Sequence, residues 1–282
     1  NESLISKVSG SFLHPNQLAF IIFLFTLVTF HQYLKSKKIL FGVASLTGLV
    51  IIIFSQSRTV WGICGLSFIF FTLLFHHHFA DFWQKVAKHF SRRRVIVATV
   101  LILILGTIVS TRLLSTAQSG QDGSSAIRQR MITEGSQVLQ QLPWTGFGAA
   151  TNVEVLSRYF PDGYVQDFPY AVHFAYLQIA LESGIPAMIL FFLPFFLLLR
   201  KALLLFFPSL RSPNLSWEQK SDLFITLSCP SAIICYYLLQ PHSGRLEFVF
   251  LGSISAVCLF LLSQFENFSV KGKSKSYVKK NR

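Results

Sequence analysis

Residues 173–199 read HFAYLQIALESGIPAMILFFLPFFLLL. A helix needs about 20 mostly apolar residues to cross the hydrocarbon core of a bilayer. From Ala175 to Leu199 the only charged side chain is Glu182, so this run is long and apolar enough. Six other runs share its character, at residues 15–34, 39–55, 59–75, 95–110, 222–240 and 246–264; the run at 95–110 is short and needs its flanks. The composition agrees. The 282 residues are 52% hydrophobic and 13% charged, with 30 phenylalanines and a mean hydropathy of +0.51, too apolar for an ordinary soluble domain. The reading is an all-α integral membrane protein with about seven transmembrane helices in a single membrane domain, 1–282.

A net charge of +13 invites a nucleic-acid reading, and the position of the charges argues against it. With the first span running from outside to inside, 18 of the 25 basic residues fall on the cytoplasmic side, including the tail 265–282. Seven stay outside: Lys7, Arg58, Arg112, Arg128, Arg130, Arg158 and Arg245. This is the asymmetry of the positive-inside rule, and it accounts for most of the charge. It predicts a multi-pass protein with a cytoplasmic C-terminus and a large extracytoplasmic loop over 111–172. Six of the seven outside bases are arginine, against six of eighteen inside. The rule counts both residue types alike. A guanidinium fork grips phosphate oxygens in pairs, which an ammonium cannot do. The outer face therefore reads as a site for a phosphorylated lipid, with scatter in small numbers as the plainer alternative.

Within the outer loop, a turn at Gln121–Ser125 introduces a helix predicted over Ala126–Leu142, with Ile127, Met131, Val138 and Leu142 on one stripe. Arg128 and Arg130 lie about 200° apart around such a helix and cannot both face one ligand. Pro143-Trp144-Thr145-Gly146-Phe147-Gly148 ends it. The next span is expected to begin near His173, with Tyr176, Leu177, Ala180, Gly184 and Ala187 on the histidine's side. Ala180 and Gly184 would admit a second helix. Glu182 would point away, and Pro186 and Pro194 are the expected kink sites. Residues 76–94 carry an interfacial amphipathic pattern. The cysteines, Cys64, Cys229, Cys235 and Cys258, lie inside apolar runs without a CxxC pair, which predicts neither a disulfide nor a metal site.

Four segments together resemble the O-antigen ligase/polymerase family of membrane glycosyltransferases. They are SGSFLHPNQLA before the first span; SQSRT, holding Arg58 at a tight outer turn; Arg128 leading into P-x-x-G-x-G at Pro143–Gly148; and H-x-x-Y-L-x(4)-E-x-G, with His173, Tyr176, Leu177, Glu182 and Gly184. Two positions depart from the family pattern: Phe174 stands where asparagine is frequent, and Ile132 where an aromatic residue is common. The resemblance covers nearly the whole chain and looks like the C-terminal part of the family's fold, so further N-terminal spans are expected before Asn1.

The resemblance implies a glycosyltransferase-C-like fold in the bacterial inner membrane. It implies metal-independent, inverting transfer of a glycan from a polyprenyl (undecaprenyl) diphosphate carrier to an acceptor hydroxyl, with no cofactor. It implies catalytic roles for His173, Arg128 and Arg58, and substrate contacts from Arg130, Arg245, Tyr176 and Glu182. The acceptor would be lipopolysaccharide core, a protein hydroxyl or another carrier-linked repeat, according to whether the enzyme is a ligase or a polymerase. Plainer readings stand beside these: Arg58 as an interfacial anchor, Arg128 as a solvated helix residue, His173 as a locally bonded residue at a helix start. A transporter or flippase of polyprenyl-linked sugars is the alternative function. Such proteins place polar groups and helix breaks at mid-membrane, whereas here the arginines gather at the outer face.

Overall fold

The computed structural model describes residues 15–55, 57–89, 123–210, 215–240 and 251–264. Among them every regular element is helical: α1 (Pro15–Ser36), α2 (Ile39–Ser55), α3 (Arg58–His89), α4 (Gly123–Leu139), α5 (Asn152–Tyr159), α6 (Tyr164–Asp167), α7 (Ala175–Leu210) and α8 (Trp217–Tyr237), then α9 (Leu251–Gln264). The expected span 95–110, Arg245 and the basic tail lie outside the described residues. Among the described residues three helical stretches are long and apolar enough to cross a membrane: Asn16–Ser36, Arg58–His76 and Ala175–Leu210; α2 and α9 are apolar but shorter.

The chain divides into two compact units. The first comprises residues 1–75, 174–176 and 187–282. In it, α1 and α2 are joined by Lys37 and Lys38 alone, so they run antiparallel. Lys37 takes the left-handed conformation that ends a helix, at φ 56°, and its amide donates to the Tyr33 carbonyl at 2.9 Å. Its ammonium sits 4.4 Å from the centre of the Trp217 ring. A side chain at Gly48 would overlap the Thr26 hydroxyl, so glycine is what lets α1 and α2 touch. Phe30, Phe71 and Phe224 pack edge to face at 5.4–6.0 Å and join α1, α3 and α8.

Helix α8 is the centre of this unit. From Lys220 to Tyr237 only Asp222 and Cys235 escape full burial. It does not belong with the three apolar stretches, because Lys220 and Asp222 near its start, and then Ser221, Thr226, Ser228 and Ser231, dilute its run. Surrounded by helices instead of lipid, it tolerates them. Asp222 accepts from His31 at 2.7 Å and from Lys35 at 3.0 Å. The opposite surfaces are apolar and open: Val43, Leu46 and Val50 on α2, and Leu190, Leu197 and Phe207 on α7. Exposed apolar area of this extent suits a lipid surround.

The second unit comprises residues 76–173 and 177–186. Met131 and Val138 of α4 are buried as the stripe predicts, and Gly135 faces Leu177 and Leu181. Leu142 is not on that stripe. The helix ends at Leu139, and Leu142 is exposed in the turn beyond it. Helix α6 is held through the buried Glu134, whose carboxylate accepts from the Tyr164 amide at 3.1 and 3.3 Å. Burial, and then the neighbouring Glu134, push the Tyr164 phenol well above its ordinary value.

Helix α7 is broken at Gly184, where φ is 84° and ψ is 163°. Pro186 and Pro194 do not make this break. Nor does a second helix pack on Gly184: the chain that approaches it is the Trp144 carbonyl, close enough that a side chain there would overlap it. At the break the helix gives up its own ladder, and the turn at 143–148 replaces it. Phe147 N donates to Leu181 O at 2.8 Å, Gly148 N donates to Glu182 O at 2.9 Å, and Ile185 N donates to Pro143 O at 2.8 Å. Gly146 completes the interlock at φ 65°; a Cβ there would stand 2.6 Å from the amides of Ser183 and Gly184.

Candidate active site

In the first unit, α2 stops at Ser55, whose hydroxyl donates to the Ile52 carbonyl at 2.7 Å. The same carbonyl accepts from the Trp61 indole at 3.1 Å, which folds the start of α3 back on the end of α2. Ser57 is buried and Arg58, the first residue of α3, is exposed. Among the described residues the Arg58 guanidinium has no ion-pair partner. Gln240, 2% exposed, gathers the ends of the neighbouring helices. Its side chain accepts from Asn16 at 3.1 Å and donates to Thr59 at 3.3 Å, and its carbonyl accepts from the Ala175 amide at 3.1 Å. Tyr176 stacks on Phe192 at 3.7 Å, with its hydroxyl buried and unbonded among the described residues.

In the second unit, α4 is helical through both arginines, so they diverge as expected. Arg128 is exposed. Arg130 is spent on the protein: it reaches Glu134 at 3.4 Å, Asp167 at 3.1 Å and the Asp162 carbonyl at 3.0 Å. It ties α4 to the turn that precedes α6. Arg158 pairs with Glu154 at 2.5 Å on the same helix. A groove of 330 Å³ lies along Ala126, Gln129, Arg130, Thr133 and Glu134, and Arg128 is not part of its lining.

His173 does not lie on α7. It sits in the bend before Ala175, so the helical-face argument that grouped it with Ala180 and opposed it to Glu182 does not hold. The helix begins two residues later because the Gln240 carbonyl satisfies the Ala175 amide, one of the donors a helix start leaves orphaned. His173 Nδ1 lies 3.1 Å from the Ala171 carbonyl. A carbonyl only accepts, so Nδ1 carries the proton of this contact. Phe168 packs on the ring at 5.4 Å. Glu182 accepts from Asn152 and, at 3.4 Å, from Gln178. Its carboxylate thus braces α5 against α7, and the buried Asn152 Oδ1 is left unbonded among the described residues.

The family model for O-antigen ligase matches residues 43–192, more than half of the 282 residues. The chain belongs to the O-antigen ligase family. No match was found among curated proteins. The matched stretch includes both glycine-bearing segments of the interlock, P-x-x-G-x-G and E-x-G, which are the two sides of one contact. Membership makes this a membrane protein of polysaccharide assembly, working on a lipid-linked glycan and an acceptor. The matched stretch contains Arg58, Arg128, His173, Tyr176 and Glu182. Asn16 and Gln240 lie outside it; the sequence reading gave neither a role in the site, Asn16 entering only as part of SGSFLHPNQLA. The one available signal for Gln240 was a polar residue ending an apolar run just before Pro241. Nothing in the sequence paired Glu134 with Tyr164, or Asn152 with Glu182.

Proposed function

We propose that this O-antigen ligase family protein transfers a glycan from a polyprenyl diphosphate carrier to an acceptor hydroxyl, at the extracytoplasmic face of a bacterial inner membrane. His173 takes the acceptor proton on Nε2 as the acceptor oxygen bonds to the anomeric carbon. The bond from that carbon to the diphosphate oxygen breaks on the opposite side, which inverts the anomer. The leaving oxygen keeps the electron pair, and Arg58 and Arg128 stabilise the charge that grows there; each such donor is worth about 3–4 kcal/mol. Arg58 and Arg128 belong to different units, and their action on one diphosphate rests on the family motifs. Arg245 remains a reserve for the same role. Tyr176 is proposed to contact substrate. Arg130 and Glu182 are better placed to brace the loop than to hold substrate.

The observation that carries this reading is the match of residues 43–192 to the O-antigen ligase family, which takes in Arg58, Arg128 and His173. The contact of His173 Nδ1 with the Ala171 carbonyl supports it, because with the proton on Nδ1 a neutral ring accepts on Nε2, as a general base must. The flippase alternative draws no support from the helix break. The carbonyls of Leu181 and Glu182 that it releases are bonded to the turn at 143–148, so they are not offered to an ion or substrate. Ligase and polymerase share this chemistry. In a deletion strain, full-length unattached glycans identify a ligase, and single repeats on the acceptor identify a polymerase. The test of mechanism is Arg128→Lys with purified carrier-linked donor. Charge is kept and the fork is lost, so kcat is expected to fall at least about tenfold. Unchanged kcat would remove Arg128 from the mechanism.

A further inference from the structure

Three helix starts meet at one buried residue, two at its side chain and one at its backbone carbonyl. Gln240 is held between Asn16, the second residue of α1, and Thr59, the second residue of α3; its carbonyl caps Ala175, the first residue of α7. Each contact uses a different atom, so the residue acts as a three-way clamp. Thr59 follows Arg58 directly, and Ala175 follows His173 by two residues. A buried amide satisfied at both ends is costly to disturb, because Gln240 itself, 2% exposed, has no water to replace a lost partner. The stack of Phe20 on Tyr236 at 3.9 Å fixes the same end of α1 against α8 and keeps the clamp from sliding along the helices.

We propose that Gln240 is a positioning residue for glycan transfer, setting the start of α3 that presents Arg58 and the start of α7 that follows His173. The proposal rests on the reading of Arg58 and His173 given above. Gln240 touches no reacting atom in this account. Its contribution is to hold others, and small misplacements of catalytic groups are expensive: about 1 Å costs on the order of 100-fold in rate.

The experiment compares Gln240→Leu, Thr59→Val, their double variant and Arg58→Ala in the full chain, with carrier-linked donor and acceptor. Gln240→Leu is expected to lower kcat by about 10- to 100-fold with little change in the KM for donor. Thr59→Val, which keeps the Asn16 contact and the Ala175 cap, is expected to lower kcat in the same sense, and the double variant to be no worse than Gln240→Leu, because both remove one shared contact. Thr59→Ser, which restores the hydroxyl, is expected to recover most of the loss. If Gln240→Leu does not assemble in the membrane, Thr59→Val with its serine rescue decides the matter. Wild-type kcat in Thr59→Val or Gln240→Leu, beside an inactive Arg58→Ala, overturns the positioning role and leaves the functional reading intact. Loss in the double variant equal to the product of the single losses also overturns it. If Arg58→Ala itself transfers normally, the reading of Arg58 fails and the positioning role falls with it.

Discussion

Replacing Gly184 by alanine attacks the contact on which the second unit depends. At φ 84° and ψ 163° the backbone lies in a region open essentially to glycine alone, and another residue held there costs about 1–3 kcal/mol. The added methyl group also overlaps the Trp144 carbonyl, which is backbone and cannot rotate away. The chain can relieve the overlap only by withdrawing the turn at 143–148. That breaks three hydrogen bonds, from Phe147, Gly148 and Ile185, each worth about 1 kcal/mol net. Either route gives a loss of about 3 kcal/mol or more, over 100-fold in the folded population. The assay is SDS-titration unfolding of the purified protein, followed by glycan transfer at a fixed folded fraction. Gly62→Ala is the control: a Cβ there meets nothing within 4 Å, and an alanine inside a helix stabilises by about 0.5–1 kcal/mol. Gly184→Ala matching Gly62→Ala in stability would refute the interlock.

Arg130→Ala removes the brace between α4 and the turn before α6. Because that guanidinium is 42% exposed, the loss should be below about 1 kcal/mol; faster limited proteolysis near residues 160–168, with donor KM unchanged, is the expected result. The Tyr164 phenol keeps its proton at a pH where a free phenol, near 10.0, has lost it. Stability should therefore decline as pH rises past the free value, since the unfolded chain then ionises and the folded one does not. Tyr164→Phe should flatten that slope in unfolding curves followed from pH 8 to 11.

Helix existence was legible because apolar runs are local. The expectation of 39–55 coincides with α2, and 15–34 falls two residues short of α1. The helix predicted over 126–142 was displaced by three residues because Leu142 is drawn into the turn, where its carbonyl accepts from Gly146. His173 was placed on a helix that begins after it, since the group that starts α7 is a carbonyl 65 positions further along the chain. The prolines of α7 looked like the kink, while the break is enforced at Gly184 by a carbonyl from residue 144. For α7 a local pattern gave way to partners distant in sequence, Gln240 and Trp144. For the site, arginine enrichment and the histidine were visible in the sequence, whereas the bonds of Arg130 to Asp167 and to the Asp162 carbonyl join residues more than thirty positions apart and were not.

The account stands most directly on His173 as the base. The decisive measurement is the single-turnover rate of glycan transfer by His173→Ala in the full chain, with donor bound to saturation. The account predicts a fall of about 100- to 10,000-fold. A rate within threefold of wild type contradicts it.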